Sequence, residues 1–203
     1  MTREVRILGA GGLGRELFHW ARASGLSPVG FIDDNPAALN GFDAYPPVCG
    51  GVAEAPVDLP ILCGIGQNTI RVRCVDSLKA RGATFASCVH PRAVVLPGSV
   101  LGEGAVVAPF AYVACNATVG AFAFLQAGSV VGHDVRAGDF LRMDTGAFVG
   151  GFAVLGDRVT VYTGAKVMPG KRMGDDSVLG AGSALMSNLP AGRTAFGLPA
   201  VRC

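Results

Sequence analysis

The sequence is short of charge, of histidine and of closely spaced cysteine pairs. Only 16% of its 203 residues are charged, and 17 basic residues against 15 acidic leave a net charge of +2. That balance gives no electrostatic footing for nucleic acid or for an anionic membrane surface. No apolar run approaches the roughly 20 residues that span a bilayer, so no membrane segment is expected. The opening "MTREVRILGAGG" runs from charged residues into a strand and glycines, without the form of a signal peptide. Cysteines stand at 49, 63, 74, 88, 115 and 203 with no C-x-x-C pair among them, which argues against a zinc knuckle, and no metal site is expected. Scattered among apolar neighbours, they read as buried free thiols of a cytoplasmic protein.

What the chain has in excess is glycine, 30 residues, alongside a hydrophobic half large enough to build a core. Two rhythms divide it. Residues 1–88 alternate strand and helix: "VRILGA" (5–10), a helix over 14–25 stopped by Gly25, "PVGFID" (28–33), a Pro/Gly-rich loop (41–56), "PILCGIG" (60–66), a helix over 68–81, and "TFASCV" (84–89). This order predicts a small parallel sheet covered by helices, a Rossmann-like α/β domain.

From 93 to 188 the chain cuts into sixteen consecutive hexads, beginning AVVLPG, SVLGEG, AVVAPF. The third residue of each is Val, Leu, Met or Ala, and the first is mostly Ala, Ser or Val. A six-residue period is too short for a helical repeat and suits a parallel β-helix of triangular coils, three hexads or 18 residues per coil. Third positions point inward, small first positions fit the corners, and glycines serve turns where φ is positive. Sixteen hexads at three per coil give about five coils, so 89–203 is read as an all-β domain. The tail "PAGRTAFGLPAVRC" (190–203) breaks the period and is expected to pack near the open end.

In such a coil, residues 18 apart stack. Gly151 lies above His133, and Cys115 lies below it. His133 is fifth in its hexad, near a corner, so its ring can project outward. Gly151 leaves space beside the imidazole and exposes a backbone N–H. A base beside an unobstructed amide donor suits acyl transfer: the histidine takes a proton from the attacking group, and the amide steadies the oxyanion. Asp134 is placed to orient the ring. The plain alternative is a corner histidine with no task. His19 and His90 read as structural or linker residues.

Gly9, Gly11 and Gly14, with Gly12 between them, follow a strand and open a helix in the G-x-G-x-x-G pattern, and Asp33 and Asp34 come about 20 residues later. That places a phosphate at a helix N-terminus and a carboxylate on a ribose. A domain this small lacks two mononucleotide halves, so one nucleotide fits better than NAD. "GIGQN", with Gly66 and Asn68, ends another strand at the same sheet edge and is placed to complete the pocket. The alternatives are glycines serving a tight strand–helix turn, and Asp33–Pro36 as a turn and cap. Lys166, Lys171 and Arg172 read as solvated charges or contacts for phosphate groups.

These motifs, "ILGAGGLGREL", "GFIDD", "GIGQNTIR", "VHPRAVV", "VVGHDVRAGDF" and the closing "FGLPAVR", resemble the sialic acid O-acetyltransferase and nucleotide-linked amino-sugar N-acetyltransferase family across nearly the whole chain. The resemblance implies a left-handed β-helix after the Rossmann-like domain, acetyl-CoA as donor, and a homotrimer with active sites between neighbouring subunits. It implies His133 as general base, Asp134 as its partner, Gly151 as the oxyanion donor, and Asp33–Asp34 with the glycine loop as the sugar-nucleotide site. The family often carries a second histidine nine residues after the first. Here Arg142 stands there, Thr145 replaces a proline, and Leu13 stands where the glycine loop often has histidine. A cation at 142 suits a carboxylate or phosphate, and close to His133 it would disfavour the protonated imidazole. Three functions follow: N-acetylation of a nucleotide-linked amino sugar, O-acetylation of a sugar such as sialic acid, or nucleotide-sugar binding with little catalysis.

Overall fold

The computed structural model describes residues 3–202. The chain divides into two compact units, the first ending at His90 and the second beginning at Pro91.

The first unit is built on β1 (Arg3–Leu8), α1 (Gly12–Ala23), β2 (Leu26–Ile32), β3 (Ile61–Cys63) and α2 (Asn68–Ala80). The three strands form a parallel sheet in the order β2-β1-β3, with Ile7 opposite Phe31 on one side and Leu62 on the other. Val5, Ile7, Leu8, Phe31, Ile32, Ile61 and Leu62 are buried, the continuous apolar pattern of a parallel sheet covered on both faces. α1 turns Gly14, Leu17, Phe18 and Ala21 inward, a helical stripe of spacing three to four. Each large side chain on that stripe contributes about 1.5–3 kcal/mol by leaving water. The Ser24 hydroxyl donates to the Trp20 carbonyl at the end of α1, and Gly25, at φ 80°, ends the turn. The expected strand over 84–89 is reduced: Phe85 makes one parallel bridge to Ile61, and Cys88–Val89 is a two-residue strand.

The second unit is a parallel β-helix. Two-residue strands recur every six residues from Val94–Val95 to Ala184–Leu185 and stack into three sheets. Register is 18 residues: Val130 lies opposite Tyr112 and Phe148, and Arg142 opposite Phe124 and Thr160. Third positions form the core. All from Val107 to Leu185 are buried, while Val95 and Leu101 of the first coil are half-buried. First positions are not only corner fillers: Ala111, Ala117, Val135, Leu141, Ala147 and Val159 are buried beside them. Alternation at positions one and three is the period-two signature of a strand.

The corners carry a feature that glycine content alone hides. The sixth position of every hexad from 98 to 182 has φ between 56° and 80°. Seven of these residues are glycine; the other eight are Phe110, Asn116, Phe122, Asp134, Phe140, Phe152, Arg158 and Asp176. A left-handed turn costs a non-glycine residue about 1–2 kcal/mol. Its compensation is an N–H aimed at the coil below: Phe140 donates to Ala121, Phe152 to His133 and Asp176 to Asp157, at 2.7–3.0 Å. That bond stabilises each corner by roughly the same amount.

The coil count needs correction from about five to about six. Leu189 bridges Met173, and Thr194–Ala195 pairs in parallel with Val178–Leu179 before an antiparallel hairpin joins Thr194–Gly197 to Ala200–Arg202. The tail continues the solenoid at a spacing of 16 instead of 18, which is why the hexad pattern fails there while the stacking does not.

Candidate functional site

One corner column of the β-helix reads Pro97, Cys115, His133, Gly151, Pro169. The His133 side chain is about half exposed (53%), and its Nδ1 lies 2.9 Å from Asp134 Oδ2. With the proton on Nδ1 donated to that carboxylate, Nε2 is left as the basic nitrogen. Asp134 is held for this contact by its left-handed backbone, with its N–H donating to the Cys115 carbonyl at 3.2 Å. A Cβ at Gly151 would stand 2.6 Å from both Cε1 and Nε2 of His133, and a Cβ at Gly132 would stand 2.6 Å from the Gly151 nitrogen. Glycine at these two positions is therefore required by the ring and by the backbone, not by φ.

What the Gly151 N–H can do is shown by a second corner. There the fifth-position amides of Ala121, Asp139 and Asp157 each donate to the carboxylate of the residue one coil above, Asp139, Asp157 and Asp175, at 2.7–3.0 Å. A fifth-position N–H is thus a donor suited to a negatively charged oxygen. Above Gly151 the corresponding residue is Pro169, whose side chain offers no acceptor. Among the described residues no protein group accepts from Gly151 N–H, while its carbonyl accepts from Gly170. Base, orienting carboxylate and a donor with no described protein acceptor therefore meet at one corner.

Arg142 lies elsewhere. It sits on the sheet of Phe124 and Thr160, not at the corner of His133, and its guanidinium grips Asp144 in a two-pronged ion pair (Nε to Oδ1 2.7 Å, Nη2 to Oδ2 3.0 Å). The Tyr162 ring lies against it at 5.2 Å. Its charge is met within the chain by the Asp144 carboxylate.

The first unit holds a cavity of about 350 Å³ where the glycine loop meets β2 and α2. Gly9, Gly11, Gly12, Asp33, Asp34 and Gly66 all line it, together with Arg73 and Cys74 of α2. The N–H groups that open α1 suit a phosphate there. Gly14 and Asn68 do not line the cavity. A Cβ at Gly14 would fall 1.8 Å from the Gly9 carbonyl oxygen, so this glycine serves helix–strand packing. Asn68 instead accepts from Arg71 at the start of α2. The two aspartates differ. Asp33 spends both oxygens on the loop, accepting from Ala10 N–H (2.8 Å) and Asn35 N–H (2.9 Å). Asp34, among the described residues, accepts from Val52 N–H alone, and both aspartates border a second cavity of about 450 Å³ as well. Arg73 and Cys74 escaped the sequence reading because nothing in α2's pattern says which of its faces meets the glycine loop. Burial pushes the Cys74 thiol up, partly offset by the Arg73 charge, and pushes Cys63 up to about 11.

His19 bonds Tyr45 at 3.1 Å and packs in an aromatic cluster with Phe18. The cysteines are less uniform than expected: Cys63, Cys74 and Cys88 are buried, but Cys115, a fifth-position corner residue, is exposed. Cys203 lies outside the described residues. No cluster among the described residues has the make-up of a metal site, and no helix is long and apolar enough to cross a membrane.

Comparison with known proteins adds the following. The family described as the PglD N-terminal domain matches residues 4–78. The chain is 29% identical over 142 residues to GDP-perosamine N-acetyltransferase of Escherichia coli O157:H7, covering 66% of this chain and 63% of that protein. It is 30% identical over 112 residues to UDP-N-acetylbacillosamine N-acetyltransferase of Bacillus subtilis (strain 168), covering 52% and 51%. The chain thus spans less than two thirds of the curated relatives it matches. A histidine-to-asparagine variant of perosamine N-acetyltransferase from Caulobacter crescentus, in complex with CoA and GDP-perosamine, superposes with a TM-score of 0.90 at 27% identity, covering 100% of this chain and 98% of that one. The acetyltransferase domain of PglB from Neisseria gonorrhoeae FA1090, in complex with acetyl coenzyme A, gives 0.89 at 27% identity over the full length of both.

Residues 4–78 match the PglD N-terminal domain, and the whole chain is similar in fold to the perosamine and PglB acetyltransferases. In this chain the glycine-loop cavity and the His133 corner fall in separate units.

Proposed function

We propose that the protein transfers an acetyl group from acetyl-CoA to the amino group of a nucleotide-linked amino sugar, with His133 as general base. The observation that carries this reading is the vacancy at Gly151, which frees the imidazole edge that any side chain there would cover. The amine nitrogen attacks the thioester carbon, and Nε2 takes the ammonium proton as the tetrahedral intermediate forms. The Gly151 N–H donates to the oxyanion. Asp134 supports the imidazolium through Nδ1. On collapse the C–S bond breaks, and the proton held on Nε2 passes to the CoA sulfur, leaving an amide and CoA-SH. The glycine loop holds the diphosphate, and Asp34 offers an acceptor to the nucleoside.

The chain is read as a homotrimer with its sites between subunits, working in the cytoplasm. Support comes from one face of the prism, whose outward row Val94, Tyr112, Val130, Phe148 is uncharged over four coils before reaching Lys166, against Val100, Thr118, Arg136, Val154, Arg172 on another. Free thiols at all five described cysteines suit a reducing compartment.

The experiment is CoA release over a panel of GDP-, UDP- and dTDP-linked amino sugars with acetyl-CoA, the wild type beside His133→Ala. Turnover that depends on His133 with one class of sugar nucleotide is the expected result. Equal turnover in His133→Ala removes the base assignment, and turnover only with a free hydroxyl sugar moves the reading to O-acetylation. Sedimentation of the purified chain as a monomer would reject the trimer.

A further inference from the structure

The corner of His133 contains a residue that the proposed chemistry does not use. Phe152 directly follows Gly151, and its ring meets the His133 imidazole edge to face, centroids 5.0 Å apart and planes at 85°. Its backbone is in the left-handed region at φ 59°, and its N–H donates to the His133 carbonyl at 3.0 Å. Despite that contact the residue is 62% exposed, because Gly170 stands one coil above it and leaves open space.

Both properties count against a stabilising role. Phenylalanine is a poor resident of the left-handed region, where asparagine, aspartate and glycine are at ease. A largely exposed aromatic ring also gains little from burial. The other corner phenylalanines show alternatives. Phe122 is buried and stacks on Phe140, 18 residues above it, at 5.1 Å and 15°. Phe110 is as exposed as Phe152 (63%) but faces only the Arg92 guanidinium, 5.8 Å away. The Phe152 ring lies against a titratable side chain that an adjacent carboxylate orients. The corner hydrogen bond offsets the backbone strain of Phe152 as it does at Phe140 and Asp176, so what marks this residue is its exposed ring set against the imidazole.

We infer that Phe152 is a positioning residue for His133, an inference that rests on the function proposed above. Asp134 fixes one ring nitrogen, but a single hydrogen bond leaves the imidazole free to rock about it. Gly151 removes the side chain that would otherwise brace the ring. The Phe152 ring supplies that brace from the side, so that Nε2 points along one direction while its outer edge stays open. The arrangement replaces a steric wall at position 151 with an aromatic wall at 152.

The test is Phe152→Asn, measured with Phe152→Tyr, Phe110→Asn and His133→Ala. Asparagine suits the backbone, so the melting temperature of Phe152→Asn is expected to hold or rise. Its kcat is expected to fall about tenfold or more, the scale of a misaligned catalytic group, with both KM values within about twofold. Phe152→Tyr keeps the ring and should keep kcat; Phe110→Asn should leave kcat alone. The side-chain NMR signals of the His133 imidazole should broaden in Phe152→Asn only. An unchanged kcat and unchanged imidazole signals in Phe152→Asn overturn the inference. So does a kcat loss with a matching loss of melting temperature, which means a structural residue, or a raised KM for acetyl-CoA alone, which means a donor-binding wall. If His133→Ala turns over like the wild type, the proposed function itself fails, whereas the imidazole signals still report on the brace.

Discussion

A side chain of even one carbon at Gly151 would overlap the imidazole of His133, one coil below, at 2.6 Å from two ring atoms. The backbone at 151 lies outside the left-handed region, so alanine fits the chain there and clashes only with the ring. Gly151→Ala is therefore expected to fold with a melting temperature within a few degrees of wild type and to lose turnover. The alanine both displaces the base and covers the amide donor. Removing one oxyanion donor alone costs about 10²–10³ in kcat, so CoA release should fall at least that far. A variant with more than a tenth of wild-type kcat would mean that the corner is not where acyl transfer occurs.

Asp134 is the next discriminating position because it has two duties. Its left-handed backbone turns the corner, and its carboxylate holds Nδ1 at 2.9 Å. Asparagine at this position would keep the first duty, since it tolerates that conformation, and would lose the second. Asp134→Asn should leave the circular dichroism melt unchanged and lower kcat by about 10²-fold, within the range carried by a positioned acid–base group. Substitution by alanine should lower both, which separates the corner's geometry from its chemistry.

The solenoid was legible because its core obeys one rule at sixteen places, and a period survives local exceptions such as Thr145 or Lys171. The His133–Gly151 pair was legible for the same reason: once the coil length is 18, stacking is arithmetic. What escaped has physical causes. Eight of the fifteen left-handed corners hold residues other than glycine, and at seven of them a hydrogen bond to the coil below offsets the strain, so composition undercounts the turns. The final coil shortens to a spacing of 16, and a period search ends where the stacking continues. Asp33 and Asp34 are adjacent and identical in sequence, and only the fold shows that one holds two loop amides while the other accepts from Val52 N–H.

That difference between the aspartates predicts a split. Asp33→Ala leaves Ala10 N–H and Asn35 N–H without their acceptor, so the glycine loop loosens. Stability should fall by about 1–3 kcal/mol, the cost of unsatisfied amides, and nucleotide affinity should fall with it. Asp34→Ala removes one bond at an exposed position and should cost under about 1 kcal/mol, while nucleotide affinity falls as much or more. Thermal melts with and without GDP and UDP read both quantities. Equal stability losses in the two variants would reject the division of labour.

The thiols offer a check that needs no substrate. Cys115 is exposed beside His133, whereas Cys63 is fully buried in β3 with its thiol pushed up to about 11 from an ordinary 9.0. A thiol reagent at pH 8 should modify Cys115 at the rate of a small exposed thiol and leave Cys63 untouched until the protein unfolds. The raised value also has a sign for stability. Below pH 9 both folded and unfolded chains keep the Cys63 proton, so its contribution is fully present. Above pH 9 only the unfolded chain releases it, so stability declines as pH rises towards 11 and then levels off. Two pH units correspond to about 2–3 kcal/mol at most. Urea melts at pH 8 and pH 10.5 should therefore show a larger loss for the wild type than for Cys63→Ala, and parallel losses in the two proteins would place the alkaline sensitivity elsewhere.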